Sequence, residues 1–212
     1  MSGKYTVHLR LSPDQAGRLR SLQALFAEAC NFISPMAAVN RCWNRVGLHH
    51  LAYKAVRERY PQLGSQMVSN AIYSVSRASR RVYQDPQSQW FVGRNATATL
   101  PRLRFSPDNP VFFDRHTLSL KSGVLSMFTL DGRLRFQVQV PRDLEERFAN
   151  DKLREVVLLS KGQNYALRFV FGELVDKPNL PPDPDAPEFK VEVEMPVDGA
   201  EVERPLSQKE AA

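Results

Sequence analysis

His49-His50, the two cysteines Cys30 and Cys42, and the arginines Arg77, Arg80 and Arg81 are the residues whose types could do chemistry. Paired histidines can hold a metal or move protons near neutral pH. Adjacent residues on a helix point about 100° apart, so His49 and His50 make poor joint ligands, and no nearby Cys or His completes a set. His8 and His116 stand in strand-like segments, away from any serine or cysteine nucleophile motif. The GxSxG, P-loop and GxGxxG signatures do not occur. Two cysteines with no CxxC exclude a disulfide scaffold and a zinc ribbon, and they read as reduced thiols in a cytosolic protein. Asp14, Glu28 and Glu58 read as solvated helix faces. The expectation is a protein that is not an enzyme and carries no catalytic residue, metal or cofactor.

The arginines point elsewhere. In SQMVSNAIYSVSRASRRVY (65–83), helical spacing puts Val68, Ala71, Ile72, Val75, Ser79 and Val82 on one side. Asn70, Tyr73, Arg77, Arg80, Arg81 and Gln84 fall on the other, with no acidic residue between Glu58 and Asp85. Guanidinium groups neutralise phosphates, amides hydrogen-bond sugars, and a tyrosine stacks on bases. Arg10, Arg102, Arg104, Arg135 and Arg168 alternate with apolar neighbours, so strand geometry turns them from the core. Asn70, Tyr73, Arg77, Arg80 and Arg81 together with these five arginines form the expected nucleic-acid surface.

Charge distribution agrees. The chain of 212 residues has a formal net charge of +6, but residues 176–212 hold ten acidic against four basic residues. The remaining 175 residues hold 25 basic against 13 acidic. A body that basic calls for a polyanion partner. A content of 42 % hydrophobic residues supports a packed core, and no run approaches a membrane span or opens the chain as a signal peptide.

The elements that position these residues follow from periodicity. YTVHLRL (5–11) alternates as a strand, and Ser12-Pro13-Asp14-Gln15 has the form of a capping box with proline at the first helical position. Helical spacing then runs to about Asn31, with Pro35 as an interruption, and three further helices cover 36–46, 49–60 and the arginine-rich stretch. From Leu100 the period becomes two: LPRLRF, LSLKS, VLSMFTL, RLRFQVQV, LREVVLL and YALRFVF alternate, with turns at Asp131-Gly132 and 160–164. The order predicts an α+β fold, a β-barrel or sandwich (1–11 and 100–175) with a helical bundle (12–99) inserted after its first strand. Residues 176–212, with seven of the fifteen prolines, read as an acidic extended tail in which FKVEVEM (189–195) is one edge strand.

The succession YTVHLRLSPDQ, Cys30-Asn31, Leu48-His49, YPQLGSQMVSNAIYSVSRA and FDRHTLSLKSG…FTLDGRLRF, over residues 4–175, resembles the N-terminal half of the TnpB family and its relatives, the miniature type V CRISPR effectors. The resemblance implies a wedge-type barrel with a helical recognition insertion that binds guide RNA and the guide–target heteroduplex. Where the family continues into a RuvC-like nuclease with three metal-holding carboxylates, this sequence runs into its acidic, proline-rich segment, so cleavage activity does not carry over. The expected function is a nuclease-lacking, cytoplasmic, guide-RNA-type binding module. Its expected partners are a structured RNA or RNA–DNA heteroduplex, a separately encoded effector protein or a second copy, and no membrane. The alternative is an assembly or inhibitory subunit whose acidic tail docks on a basic partner.

Overall fold

Ser12 starts the first helix as its sequence requires. Its hydroxyl accepts from the Gln15 N–H (3.2 Å) and the Gln15 side chain accepts from the Ser12 N–H (2.9 Å), satisfying two of the helix's orphan donors. The computed structural model describes residues 3–172 and 189–195. In it β1 (Gly3–Leu9) precedes three helices, α1 (Pro13–Val39), α2 (Arg45–Arg59) and α3 (Gly64–Tyr83). Strands β2 (Arg102–Phe105), β3 (Val111–Phe113), β4 (Leu118–Lys121), β5 (Val124–Thr129) and β6 (Gly132–Gln137) follow. Helix α4 (Arg142–Asn150), strands β7 (Leu153–Lys161) and β8 (Asn164–Phe171), and β9 (Val191–Glu194) complete the order. The extended reading of 173–188 and 196–212 lies outside the described residues.

One helix stands where the spacing predicts two. Pro35 lies inside α1 without ending it, although proline removes one backbone bond and crowds the preceding turn. That turn is held from outside. Asn31 donates to the Phe105 carbonyl (3.1 Å) and accepts from the Phe105 N–H (2.6 Å), and Ser34 accepts from the Leu103 N–H (2.7 Å). Helix and β2 thus satisfy each other. Helix α1 has the length and hydropathy of a membrane span, but 56 % of that window is packed inside the protein.

The strands form three open sheets, in the orders β1-β8-β7-β3, β4-β5-β6 and β2-β9. All pairs are antiparallel. The turn between β4 and β5 places Ser122 and Gly123 at φ of 52° and 68°, the primed geometry whose twist matches that of a hairpin. The expected closed barrel does not form among the described residues. Closure would require β1 to pair with β6, and both are edge strands. Pro141, which follows β6, has no N–H to continue a ladder and instead begins α4. Helix α4 buries Leu144 and Phe148, the latter edge-to-face with Phe169, and Asp143 accepts from the Tyr5 hydroxyl. One hydrophobic core runs through helices and sheets alike, from Val7 to Phe189.

Helix α3 is the piece on which the two layers meet, and it is buried on both sides. Its apolar stripe packs on α1 and α2. The opposite face, expected to be open, lies on β3 and β7. Asn70 donates to the Phe112 carbonyl (3.0 Å), and the Tyr73 ring stands edge-to-face with Phe112 at 5.5 Å. Arg77 passes over both rings and meets Glu155 of β7 at 2.5 Å. The two side chains of this pair are only 9 % and 3 % exposed. Asn70, Tyr73 and Arg77 are therefore corrected from surface to interior: their hydrogen-bonding groups are used inside the protein. Removing one partner of such a pair strands the other charge in the core. Arg77→Ala is expected to cost about 3–5 kcal/mol of stability, read by urea unfolding. The double change Arg77→Met with Glu155→Leu, which leaves no stranded charge, recovers most of that loss.

Candidate nucleic-acid interface

With part of α3 turned inward, the expected cationic surface divides. Arg81 is exposed at the end of α3, whereas Arg80 is half-buried and donates to the Trp43 carbonyl at 3.3 Å. Arg102 and Arg104 project from β2 as alternation predicts, but not as free cations. β9 pairs with β2, and its Glu194 meets Arg102 at 3.0 Å and Arg104 at 3.1 Å. Both arginines are corrected from open phosphate ligands to partners of the chain's own carboxylate. The FKVEVEM edge strand stands as expected, antiparallel to β2.

Of the remaining predicted arginines, Arg10 lines a cleft, and Arg135 and Arg168 lie on strands beside it without lining it. The edges of β1 and β6 face each other across this cleft of about 660 Å³, lined by Thr6, Val7, His8, Arg10, Gln137, Val138, Gln139 and Pro141. Among the described residues no carboxylate lines it. Arg10 is exposed, as are Gln137 and Gln139. Arg135 lies one strand repeat before Gln137 on the same exposed face of β6. Arg168 pairs in register with Thr6, one strand inward from the cleft. It is half-buried, and two of its guanidinium nitrogens are buried without a hydrogen-bond partner among the described residues. The cleft thus joins Arg10, side-chain amides and two edge strands, and it lies between two sheets. Alternation signalled Arg10 and Arg135. Nothing in the sequence showed that Gln137 and Gln139 would stand beside Arg10, because that depends on which two edges stay unpaired.

The other chemistry-bearing groups do not gather into a site among the described residues. His49 stacks on Tyr53 at 4.5 Å, and His50 is exposed. Burial pushes the Cys30 thiol far above its ordinary value, and Cys42 is raised for the same reason, so neither is a ready thiolate. No group of three or more His, Cys, Asp or Glu gathers as a metal site among the described residues. No protein-family model matches the sequence, and no curated protein matches it.

Carboxylates hold β9 in place. Hydrogen bonding from Arg104, reinforced by Arg102, holds Glu194 below the usual carboxylate range, and bonds from Lys190 and Ser106 do the same for Asp108. Lys190 belongs to the residue preceding β9 and ion-pairs with Asp108. For carboxyls whose folded pKa is depressed, stabilisation is full above the ordinary carboxylate pKa and is lost as pH falls through the folded values. Acidification to below about pH 4 is therefore expected to release β9 before the body unfolds. In an NMR titration the Val191–Glu194 resonances should reach random-coil positions while those of α3 remain native.

Proposed function

We propose that this chain is a non-catalytic, guide-RNA-type binding module related to the RNA-holding half of TnpB-like effectors. The observation that carries the reading is the cleft between β1 and β6, with Arg10 and His8 on one wall, Gln137 and Gln139 on the other, and no carboxylate lining it among the described residues. A guanidinium fork suits phosphate oxygens, and amides beside unpaired strand edges suit 2′-hydroxyls and base edges. Two guanidinium nitrogens of Arg168, on the strand next to β1, have no hydrogen-bond partner among the described residues, and an anion would supply one. The strand–helices–strands order supports an opened wedge-like barrel carrying a helical insertion. Phosphate contacts supply affinity, and base pairing by the bound RNA supplies sequence choice. The same surface accepts an RNA–DNA heteroduplex, so the module serves RNA-guided recognition alone or as a subunit of a larger effector.

Purification from cells carrying the native locus, followed by a high-salt wash and sequencing of retained RNA, tests the reading. One discrete structured RNA with a variable end supports it. Random fragments released by a few hundred millimolar salt, the order at which purely electrostatic contacts fail, overturn it. Arg10→Ala and Arg135→Ala are each expected to weaken RNA binding and to lower the slope of log affinity against log salt by about 0.7–1. Their melting temperatures stay unchanged, because both side chains are exposed.

A further inference from the structure

Strand β2 belongs to neither large sheet, so each of its edges must be satisfied separately. Along one edge, the N–H groups of Leu103 and Phe105 bond Ser34 and Asn31 of α1. Backbone groups alternate along a strand, so the N–H groups of Arg102 and Arg104 face the opposite way, toward β9. In register, Glu194 stands opposite Arg102 and Glu192 opposite Arg104. Side chains alternate too: Val191 and Val193 share the side of Phe105 and Leu103, while Glu192 and Glu194 share the side of the arginines. The strand is anchored at its start by Phe189, 8 % exposed and 6.0 Å from the Phe112 ring. This is the arrangement by which an extended peptide adds to a sheet edge, with main-chain bonds giving affinity and alternate side chains giving choice.

The occupant does not fill the seat. Beside β9 remains an open groove of about 310 Å³, lined by Val82, Trp90, Val191 and Val193 on its apolar part and by Arg81 and Asp85 on its polar part. The Trp90 indole nitrogen is buried there without an acceptor among the described residues. Val193 stays 37 % exposed and Met195 51 %. Both ion pairs to Glu194 are partly exposed, so they contribute selectivity more than strength.

We propose that the β2 edge is a strand-addition site for a partner protein's extended segment of alternating large apolar and acidic residues, and that Val191–Glu194 fills it in cis. The ligand pattern is aromatic, any residue, large apolar, acid, large apolar, acid. Leucine at the two valine positions occupies the groove that valine leaves empty, and the acids meet Arg102 and Arg104. This inference does not depend on the nucleic-acid reading, because it concerns a different edge and a different class of ligand. Tethering gives the cis strand a local concentration on the order of millimolar, so a trans ligand must be a better fit or the cis strand must first let go.

The test uses the full chain and its Val191→Asp variant, which puts a carboxylate against the apolar part of the groove and weakens the cis strand. Binding of fluorescein-labelled FKLELEM is followed by anisotropy. The variant is expected to bind at least tenfold more tightly than the parent chain, FKLELEM to bind more tightly than FKVEVEM, and FKLKLKM not to bind. Adding Arg102→Glu and Arg104→Glu to the variant reverses the preference between the acidic and the basic peptide. Equal affinity for both peptides, or no binding by a variant whose circular dichroism and melting are native, overturns the proposal. So does a gain of affinity for single-stranded RNA without a gain for peptide, which would assign the edge to nucleic acid. A concentration-dependent dimer of the parent chain that Val191→Asp abolishes would make the occupant a second copy, and also overturns it. Should the variant not fold, hydrogen exchange on the parent chain decides. The Arg102 and Arg104 amides are expected to exchange at least tenfold faster than those of Leu103 and Phe105, and exchange of all four only with global unfolding overturns the site.

Discussion

The ion pair between Arg77 and Glu155 sets what the rest of the molecule is able to be. Two charges taken out of water must find each other with good geometry or the fold does not form. Here they meet at 2.5 Å across the seam between α3 and β7, with the Tyr73 hydroxyl 3.2 Å from the same guanidinium nitrogen. Tyr73 and Phe112 place their rings beneath the guanidinium, so the cation is enclosed by π-faces as well as by its carboxylate. A bulge in β7, between Leu153 and Glu155, adjusts the strand at this point. The helical layer is thereby fixed on the sheet in one register, and α1, which packs on α3 and bonds β2, is carried with it.

That constraint redistributes the positive charge. Arginines that helical spacing groups on one face are divided by what lies against them: Arg77 is interior, Arg80 is partly engaged by the Trp43 carbonyl, and only Arg81 of the three is exposed. On β2 the same division comes from β9. Of the strand arginines, Arg10 and Arg135 stay exposed, and Arg10 meets the β6 amides at the edges of β1 and β6. An unpaired edge is a hazard in a soluble protein because it invites another strand. Arg10, Arg135, Gln137 and Gln139 make these particular edges polar, which favours a hydrated, charged ligand over a β-strand.

Much of the fold was legible because it is local. The capping box at Ser12, the alternation of β5 to β8 and the edge strand at 191–194 each depend on residues within a few positions of one another, and each stands as read. The exceptions are tertiary. Pro35 signals a break, but Asn31 and Ser34 are held by a strand some seventy residues away. Helix α4 carries its signal in Leu144 and Phe148, one turn apart, yet nine residues between strong strands leave that signal easily passed over. Arg77 looks like any surface arginine until Glu155 is considered. A single acid inside LREVVLL, flanked by residues that bury, was the available clue that some cation would have to come to it.

The same reasoning explains why β9 differs from the rest. Its neighbours in sequence are proline-rich and acidic, a composition that does not build a core of its own. It is held through Phe189, a four-residue ladder and carboxylates on arginines, with the Lys190–Asp108 pair at its start. Four residues of edge pairing bury little compared with α3, whose two faces are both covered, so the stability of this strand is local and low while that of the Arg77 seam is global. Arg102 and Arg104 thus meet their carboxylate on a short edge strand, and Arg77 meets its own on a strand inside the four-stranded sheet. The sequence alone gives both kinds of arginine the same letter; only the position of the opposing glutamate, on a central strand or on an edge strand, tells them apart.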